Sequence, residues 1–272
     1  MFAVQQKELD YYSCKWQLIN LKLLSSSSTS YLLEGYQESS KSKVILKFGL
    51  KSEIISEASA LKFYNGLGCV RLLAVDEKRG VLLRSYAYLP SLRSFFPNKD
   101  EDAVLCAVSV MKKLHSKKPP KDGYPTIADW INSLKTHSVI LKNHIDRAKS
   151  ITRDLLNSSE QNVLLHGDLH HDNLLQNEQG EWIAIDPKGV VGEVAYEVGA
   201  FIRNPMPELL KYNASDIINR RIKLFSEHLG IDEERIRKWS YVQSVLAACF
   251  AIEDNQSWRP WIKCTELITY SN

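Results

Sequence analysis

Three residues raise the question of what chemistry this chain can do: Asp168, Asn173 and Asp186. The first two lie in His166-Gly167-Asp168-Leu169-His170-His171-Asp172-Asn173, between the apolar pairs Leu164-Leu165 and Leu174-Leu175. The third closes Trp182-Ile183-Ala184-Ile185-Asp186. D-x-x-x-x-N is the spacing of a kinase catalytic loop. Phosphoryl transfer from ATP needs a carboxylate beside the attacking hydroxyl, and oxygen ligands that hold Mg2+ against the phosphates. In that chemistry Asp168 orients the hydroxyl and accepts its proton, while Asn173 and Asp186 bind Mg2+. A polar loop whose Asp and Asn only close turns is the plainer alternative. A strand before the loop, a His-Gly-Asp and a second strand ending in Asp occur together, and this favours the kinase. His166 and His170 have the H-x-x-x-H spacing of a zinc site, so a metal-dependent hydrolase is a rival. Gly167 and the strand-like flanks argue against the helix that such a site needs, and leave His166 a structural residue packed under the loop.

HGDLHHDN followed by IDP resembles the Brenner-type motif of aminoglycoside phosphotransferases and related small-molecule kinases. The stretch Lys188 to Pro205, KGVVGEVAYEVGAFIRNP, resembles the subgroup of streptomycin 6-phosphotransferases and hydroxyurea kinases. The likeness runs from about Ile45 to near the C-terminus. It implies an α+β, kinase-like two-lobed fold, a β-rich N-terminal lobe and a larger helical C-terminal lobe. It also implies transfer of the γ-phosphoryl of ATP to a substrate hydroxyl. Asp172 stands where the family has Gly or Pro. Glu197 stands where Asp is common, as the carboxylate that braces the catalytic loop through backbone N–H groups. Arg84 stands near the hinge where Glu is frequent, which leaves backbone groups to meet the adenine.

The upstream part then supplies the ATP clamp. Lys47, on the strand KVILKF, contacts the α- and β-phosphates and needs an acidic partner; Glu57 on the next helix fits, with Glu53 the alternative one turn earlier. No G-x-G-x-x-G precedes Lys47. The resemblance implies that Ser25 to Ser30, with Ser27 and Ser28 at its centre, covers the phosphates; small hydroxyl residues approach phosphate through N–H and O–H groups. In the resembling subgroup an acidic pair lies where Glu253 and Asp254 follow an apolar helix, placed for a cationic or polyhydroxy substrate. Glu193 and Glu197 are expected to join these two in one acidic patch. A protein kinase is excluded, because Gly167 replaces the Arg of H-R-D and no activation loop or A-P-E follows Asp186.

The elements that must position these residues follow from periodicity. Trp16 to Leu24, Tyr31 to Gly35 and Lys43 to Phe48 read as strands, Ser52 to Gly66 as a helix, and Val70 to Val75 and Val81 to Tyr86 as further strands. Tyr88-Leu89-Pro90 breaks the pattern. Helices are expected over Asp100 to Ser116, Ile127 to Lys135 and Ser138 to Leu156. A strand-like island, Asn162 to Asp186, comes next, then helical pattern that includes Ser240 to Ile252. This places an ATP-clamping domain at residues 1–87 and a helical catalytic and substrate-binding domain at 88–272.

The totals bound the rest. The chain has 272 residues, 44% hydrophobic and 25% charged, with a net charge of +3. That is globular composition with no basic stripe, so no nucleic-acid partner is expected. No membrane partner is expected either: the N-terminus shows no signal pattern and the best apolar run, near Val242 to Ile252, is too short to span a bilayer. Five scattered cysteines without C-x-x-C suit free thiols in the cytoplasm. The expected partner is a small hydroxylated molecule, bound by a monomer or dimer. A streptomycin-type aminoglycoside or hydroxyurea is expected, with antibiotic resistance as a side activity. A sugar or amino-alcohol metabolite is the alternative within the same fold. A catalytically silent nucleotide-binding module is a further rival, against which the intact Asp168, Asn173, Asp186 and Lys47 speak.

Overall fold

The computed structural model describes residues 4–132, 139–159 and 161–268. Its backbone divides into two compact units. One comprises the residues up to Leu89 together with Leu175–Lys188; the other comprises Pro90–Leu174 and the residues from Gly189 onward. The chain thus returns to the first unit for fourteen residues, which a linear division at 87/88 does not contain.

The sheet unit begins with helix α1 (Gln6–Trp16), which the sequence reading did not contain. Strands β1 (Leu18–Ser26), β2 (Ser30–Gln37), β3 (Lys43–Gly49), β4 (Leu72–Asp76) and β5 (Val81–Ser85) form one antiparallel sheet in the order β1-β2-β3-β5-β4. Helix α2 (Lys51–Tyr64) connects β3 to β4 and closes on Asn65 in the left-handed conformation. Side chains alternate across a sheet, so β3 serves both faces. Val44, Leu46 and Phe48 pack with Leu33, Val81 and Leu83 against Tyr12 of α1. Lys47 points the other way, toward Glu57 of α2. All of β3 after Lys43 is buried, so the compact apolar run is a strand covered on both sides. The returning segment adds β7 (Leu174–Gln176) and β8 (Trp182–Ala184), paired with each other. Val70 N–H bonds the Ala184 carbonyl, and Ala184 N–H bonds that of Gly68.

The helical unit contains α3 (Asp100–Leu114), α4 (Ile127–Asn132), α5 (Val139–Asn157), α6 (Val194–Ile202), α7 (Ala214–Leu229), α8 (Glu233–Glu253) and α9 (Arg259–Leu267). Of the two helices expected near here, residues 133–135 of one and Ser138 of the other lie outside the described residues. Strands β6 (Val163–Leu165) and β9 (Val190–Gly192) pair antiparallel on either side of the motif. The core is built on α6, buried from Ala195 to Ile202. It lies close to α8: a Cβ on Gly199 would come within 2.9 Å of the Gln243 side chain. A buried ion pair ties α7 to the start of α3. Arg221 Nη2 donates to Asp100 Oδ1 at 2.6 Å and Nε reaches both carboxylate oxygens; Nη1 donates to the carbonyls of Phe201, Ile202 and Asn204. Every acceptor of this fully buried guanidinium is therefore supplied from within the fold, as a buried charge requires.

Candidate active site

In the helical unit, β6 delivers the chain to Gly167, whose φ of +87° only glycine adopts readily. Here the backbone amides of His166 and Gly167 turn inward. The fully buried Glu197 of α6 accepts His166 N–H at 2.6 Å and Gly167 N–H at 2.9 Å, and His115 Nε2 lies 3.4 Å from the same carboxylate. His166 is also fully buried, and its Nδ1 accepts the Asp168 N–H at 3.2 Å. The loop is thus fixed from beneath, while the Asp168 side chain stays 31% exposed. Asn173 closes the loop by donating its Nδ2 to the Asp168 carbonyl at 2.9 Å. That bond leaves Oδ1 as the amide atom available to a cation.

Two neighbours, Arg203 and His170, shape the charge around Asp168. Arg203, just past α6, places Nη2 3.4 Å from Asp168 Oδ1 and 3.4 Å from Gln243 Oε1, and lies over the Trp261 ring. Gln243 is itself anchored by donating to the Tyr196 carbonyl at 2.7 Å. His170 Nε2 lies 3.7 Å from Asp168 Oδ2. Burial holds the His170 imidazole below its ordinary pKa; Asp168 opposes this and Arg203 reinforces it. His171 points away from the loop. It stacks on Phe201 at 3.9 Å, and burial, followed by the Arg221 cation, keeps it neutral, well below the ordinary histidine value. Asp172, where the sequence departs from the family, is a salt-bridge partner: Arg93 Nη1 reaches it at 2.8 Å while Nη2 reaches Glu208 at 2.5 Å.

In the sheet unit, Lys47 Nζ donates to Glu57 Oε2 at 2.7 Å and lies 3.4 Å from Asp186 Oδ1. Glu57 is buried and Glu53 exposed, so the nearer-spaced alternative is not the partner. Arg84 of β5 shares this face: the register pairs Lys47 with Leu82 and Ile45 with Arg84. Its Nη2 lies 3.5 Å from Asp186 Oδ1. Burial disfavours charge on Asp186, but the Lys47 and Arg84 cations outweigh it and hold the carboxyl well below the usual range. Lys47 is likewise penalised by burial and is kept protonated by Asp186 and Glu57. Glu57, deeper in the cluster, is pushed up by burial against the pull of Lys47. Asp186 sits at φ +57°, a left-handed conformation that Asp tolerates better than most residues. Its side chain is 28% exposed. The partly exposed Asp186 carboxylate is a hard oxygen donor of the kind Mg2+ takes alongside phosphate.

The remaining expectations fall as follows. Ser25 and Ser26 end β1 and Ser30 begins β2, so the expected serine loop shortens to Ser27, Ser28 and Thr29. The Ser27 hydroxyl accepts the N–H groups of Thr29 (3.2 Å) and Ser30 (3.0 Å), which closes the turn on itself; Ser28 stands exposed at its tip. Glu253 ends α8 and Asp254 caps it, both exposed. The expected single acidic patch does not form. Glu193 is buried and taken up by Arg235 (Nη2, 2.8 Å) and Trp239 (Nε1, 2.5 Å), while Glu197 is wholly interior. Among the described residues, no group of three or more His, Cys, Asp or Glu could hold a metal ion by itself, and His171 is spent on packing, so the residues of a hydrolytic zinc centre are not assembled. No described helix is long and apolar enough to cross a membrane. The sequence reading missed Arg203, and it did not foresee that Arg84 faces Lys47; the strand register carries the signal for the second.

Lobes of this composition, with this loop between short strands, define a phosphotransferase of the kinase-like fold. A thermostable variant of aminoglycoside phosphotransferase APH(4)-Ia, solved with ADP and hygromycin B, superposes with a TM-score of 0.68 over 95% of this chain and 97% of that one, at 14% identity. The family model described as aminoglycoside/hydroxyurea antibiotic resistance kinase matches residues 15–255, and the chain belongs to that family. It is 26% identical to the streptomycin 6-kinase of Streptomyces glaucescens, over 89% of this chain and 81% of that protein. It is 24% identical to the streptomycin 3''-kinase of Klebsiella pneumoniae, over 88% and 91%. The chain is accordingly a small-molecule phosphotransferase that acts on a hydroxyl group.

Proposed function

We propose that the chain transfers the γ-phosphoryl group of ATP to a hydroxyl of streptomycin or a related aminoglycoside, or of hydroxyurea. Asp168 orients the hydroxyl and takes its proton. Lys47, braced by Glu57, holds the phosphates. Asn173 and Asp186 hold Mg2+, whose contribution when bound is to neutralise charge on the phosphates. Ser27 and Ser28 cover the phosphates through the turn's backbone, since the Ser27 hydroxyl is already engaged. Glu253 and Asp254 meet the substrate's cationic groups; the negative end of α8 offers them no compensation of its own, which favours a bound cation there. The division of labour is an ATP-clamping domain over residues 1–87 and a catalytic and substrate-binding domain over 88–272, less the residues 175–188 that return to the sheet unit. The enzyme works as a monomer or dimer in the cytoplasm, where the free thiols of all five cysteines persist.

The observation that carries this reading is a partly exposed Asp168 on a loop locked by two N–H bonds to a buried carboxylate. One observation favours a second reading. Arg203 places a cation 3.4 Å from Asp168, and Glu193 and Glu197 are taken up internally. An acceptor site so composed suits a neutral hydroxylated metabolite, a sugar, better than a polycation. ATP consumption by the full chain, measured with streptomycin, other aminoglycosides, hydroxyurea and sugars, separates the two. Stimulation by streptomycin, with an Asp254→Ala variant raised in KM for it but not for ATP, supports the first. Stimulation by hydroxyurea likewise supports the first, stimulation only by sugars supports the second, and no stimulation by any compound rejects both.

A further inference from the structure

Lys47, Glu57, Arg84 and Asp186 form a cluster of two cations and two carboxylates, in which Arg84 is only 3% exposed. Two atoms of the cluster are buried without a hydrogen-bond partner: Glu57 Oε1 and Arg84 Nε. Both cations converge on a single oxygen, Asp186 Oδ1, Lys47 at 3.4 Å and Arg84 at 3.5 Å. The exposed Lys188 adds a third positive charge whose field reaches Asp186. Lys47 has a second carboxylate in Glu57; among the described residues, Arg84 has no carboxylate within ion-pair distance but Asp186. Its Nη1 makes one long hydrogen bond, 3.5 Å, to the neighbouring Ser85 carbonyl.

A divalent cation entering beside Asp186 would meet a group already neutralised, with fixed positive charges within a few ångströms. The same cation carried by a nucleotide polyphosphate arrives with net negative charge and meets Lys47 and Arg84 favourably. We propose that Arg84 is a positioning residue that occupies Asp186 in place of a metal, so that this chain excludes bare divalent cations and accepts them only together with nucleotide. The proposal rests on the reading of this cluster as the phosphate- and metal-binding side of a phosphotransferase. Arg84 acts through Asp186: it fixes the carboxylate when nucleotide is absent and weakens its hold on the metal when nucleotide is present.

The test is Mn2+ binding to the full chain by electron paramagnetic resonance, with and without ADP, alongside calorimetric titration of ADP. Arg84→Met removes the charge and keeps the bulk; a buried charged group exchanged for an apolar one of similar volume is often tolerated. Arg84→Gln serves if the methionine variant fails to fold. The expected result is that wild type binds Mn2+ only with ADP present. Either neutral variant should bind it about tenfold or more tightly, as removal of a nearby unit charge implies, and should gain measurable binding without ADP. Arg84→Lys, which keeps the charge, should behave as wild type. A merely structural Arg84 would give the opposite sign, weaker metal binding in all three variants. Neutral variants that bind Mn2+ no more tightly than wild type overturn the proposal. Absence of ADP binding to wild type overturns the underlying reading of the cluster instead.

Discussion

Replacing Glu197 tests the framework of the catalytic loop most directly. Glu197 accepts two backbone N–H groups, at 2.6 and 2.9 Å, in a fully buried position, and His115 is its third neighbour. Hydrogen bonds to a charged group contribute about 1.5–3 kcal/mol each, and a buried donor left without a partner costs about 1–3 kcal/mol. Glu197→Ala strands both amides, and His115 with them. The expected loss is about 3 kcal/mol or more, a large part of a stability that is about 5–15 kcal/mol for a typical domain. Glu197→Gln keeps one acceptor but turns an NH2 group toward the other amide, so it should lose at least half as much. Glu197→Asp keeps the charge and both acceptors at one methylene less reach, and should be the mildest of the three. Urea unfolding measures the global term. Hydrogen exchange of the amides of His166 and Gly167 measures the local one, where about 3 kcal/mol corresponds to about 100-fold faster exchange. Unchanged exchange in Glu197→Ala, or Glu197→Gln more stable than Glu197→Asp, would refute the brace.

Three further outcomes are expected. Asp168→Asn should lower turnover by about 10²–10⁴-fold with little change in ATP affinity, as loss of a positioned base does; steady-state kinetics on whichever substrate proves active checks it, and near-normal turnover removes Asp168 from its role. Lys47→Met and Glu57→Gln should couple in a double-mutant cycle on ATP turnover, because each single change strands the other charge at the 2.7 Å pair; additive effects would dissolve the pair. His171 is held neutral in the fold, so the unfolded chain binds its proton first. Stability should therefore fall as pH drops below about 6.5, by up to about 1.4 kcal/mol per pH unit for this one group, with His170 adding its own share. His171→Phe should flatten that slope in unfolding curves taken between pH 5 and 8, and an unaltered slope would place the titration elsewhere.

The loop, the Lys47–Glu57 pair and the β-then-α order were legible because their signals are local: fixed spacing, a β-branched run, a helix with its carboxylate one turn in. What was missed depended on three-dimensional pairing. Helix α1 carries charged residues on a weakly apolar stretch and starts at Gln5, whose N–H reaches Glu8 at 3.5 Å, a poorer start signal than Ser, Thr, Asp or Asn. Arg84, Arg203 and Arg221 are charged residues in the interior, and periodicity assigns charge to the surface; only knowledge of their partners, Asp186, Asp168 and Asp100, shows why burial is tolerated. Glu193 fails as a surface carboxylate for the same reason, since Arg235 lies 42 residues away in sequence. The serine tract looked like a longer loop because composition does not reveal how far a strand ladder extends into it.

The return of residues 175–188 to the sheet unit limits how this enzyme can be recombined with its relatives. A single crossover near Leu89 would transfer Lys47, Glu57 and Arg84 but leave behind Asp186, the carboxylate that both cations share. The chimera would inherit a cluster with two positive charges and one negative, completed by whatever the other parent supplies at that position. Shuffling that preserves the cluster needs three junctions, one near Leu89 and a pair bracketing Leu175–Lys188. Libraries built with one junction should therefore be enriched for survivors only where the second parent also carries an Asp at the end of its corresponding strand.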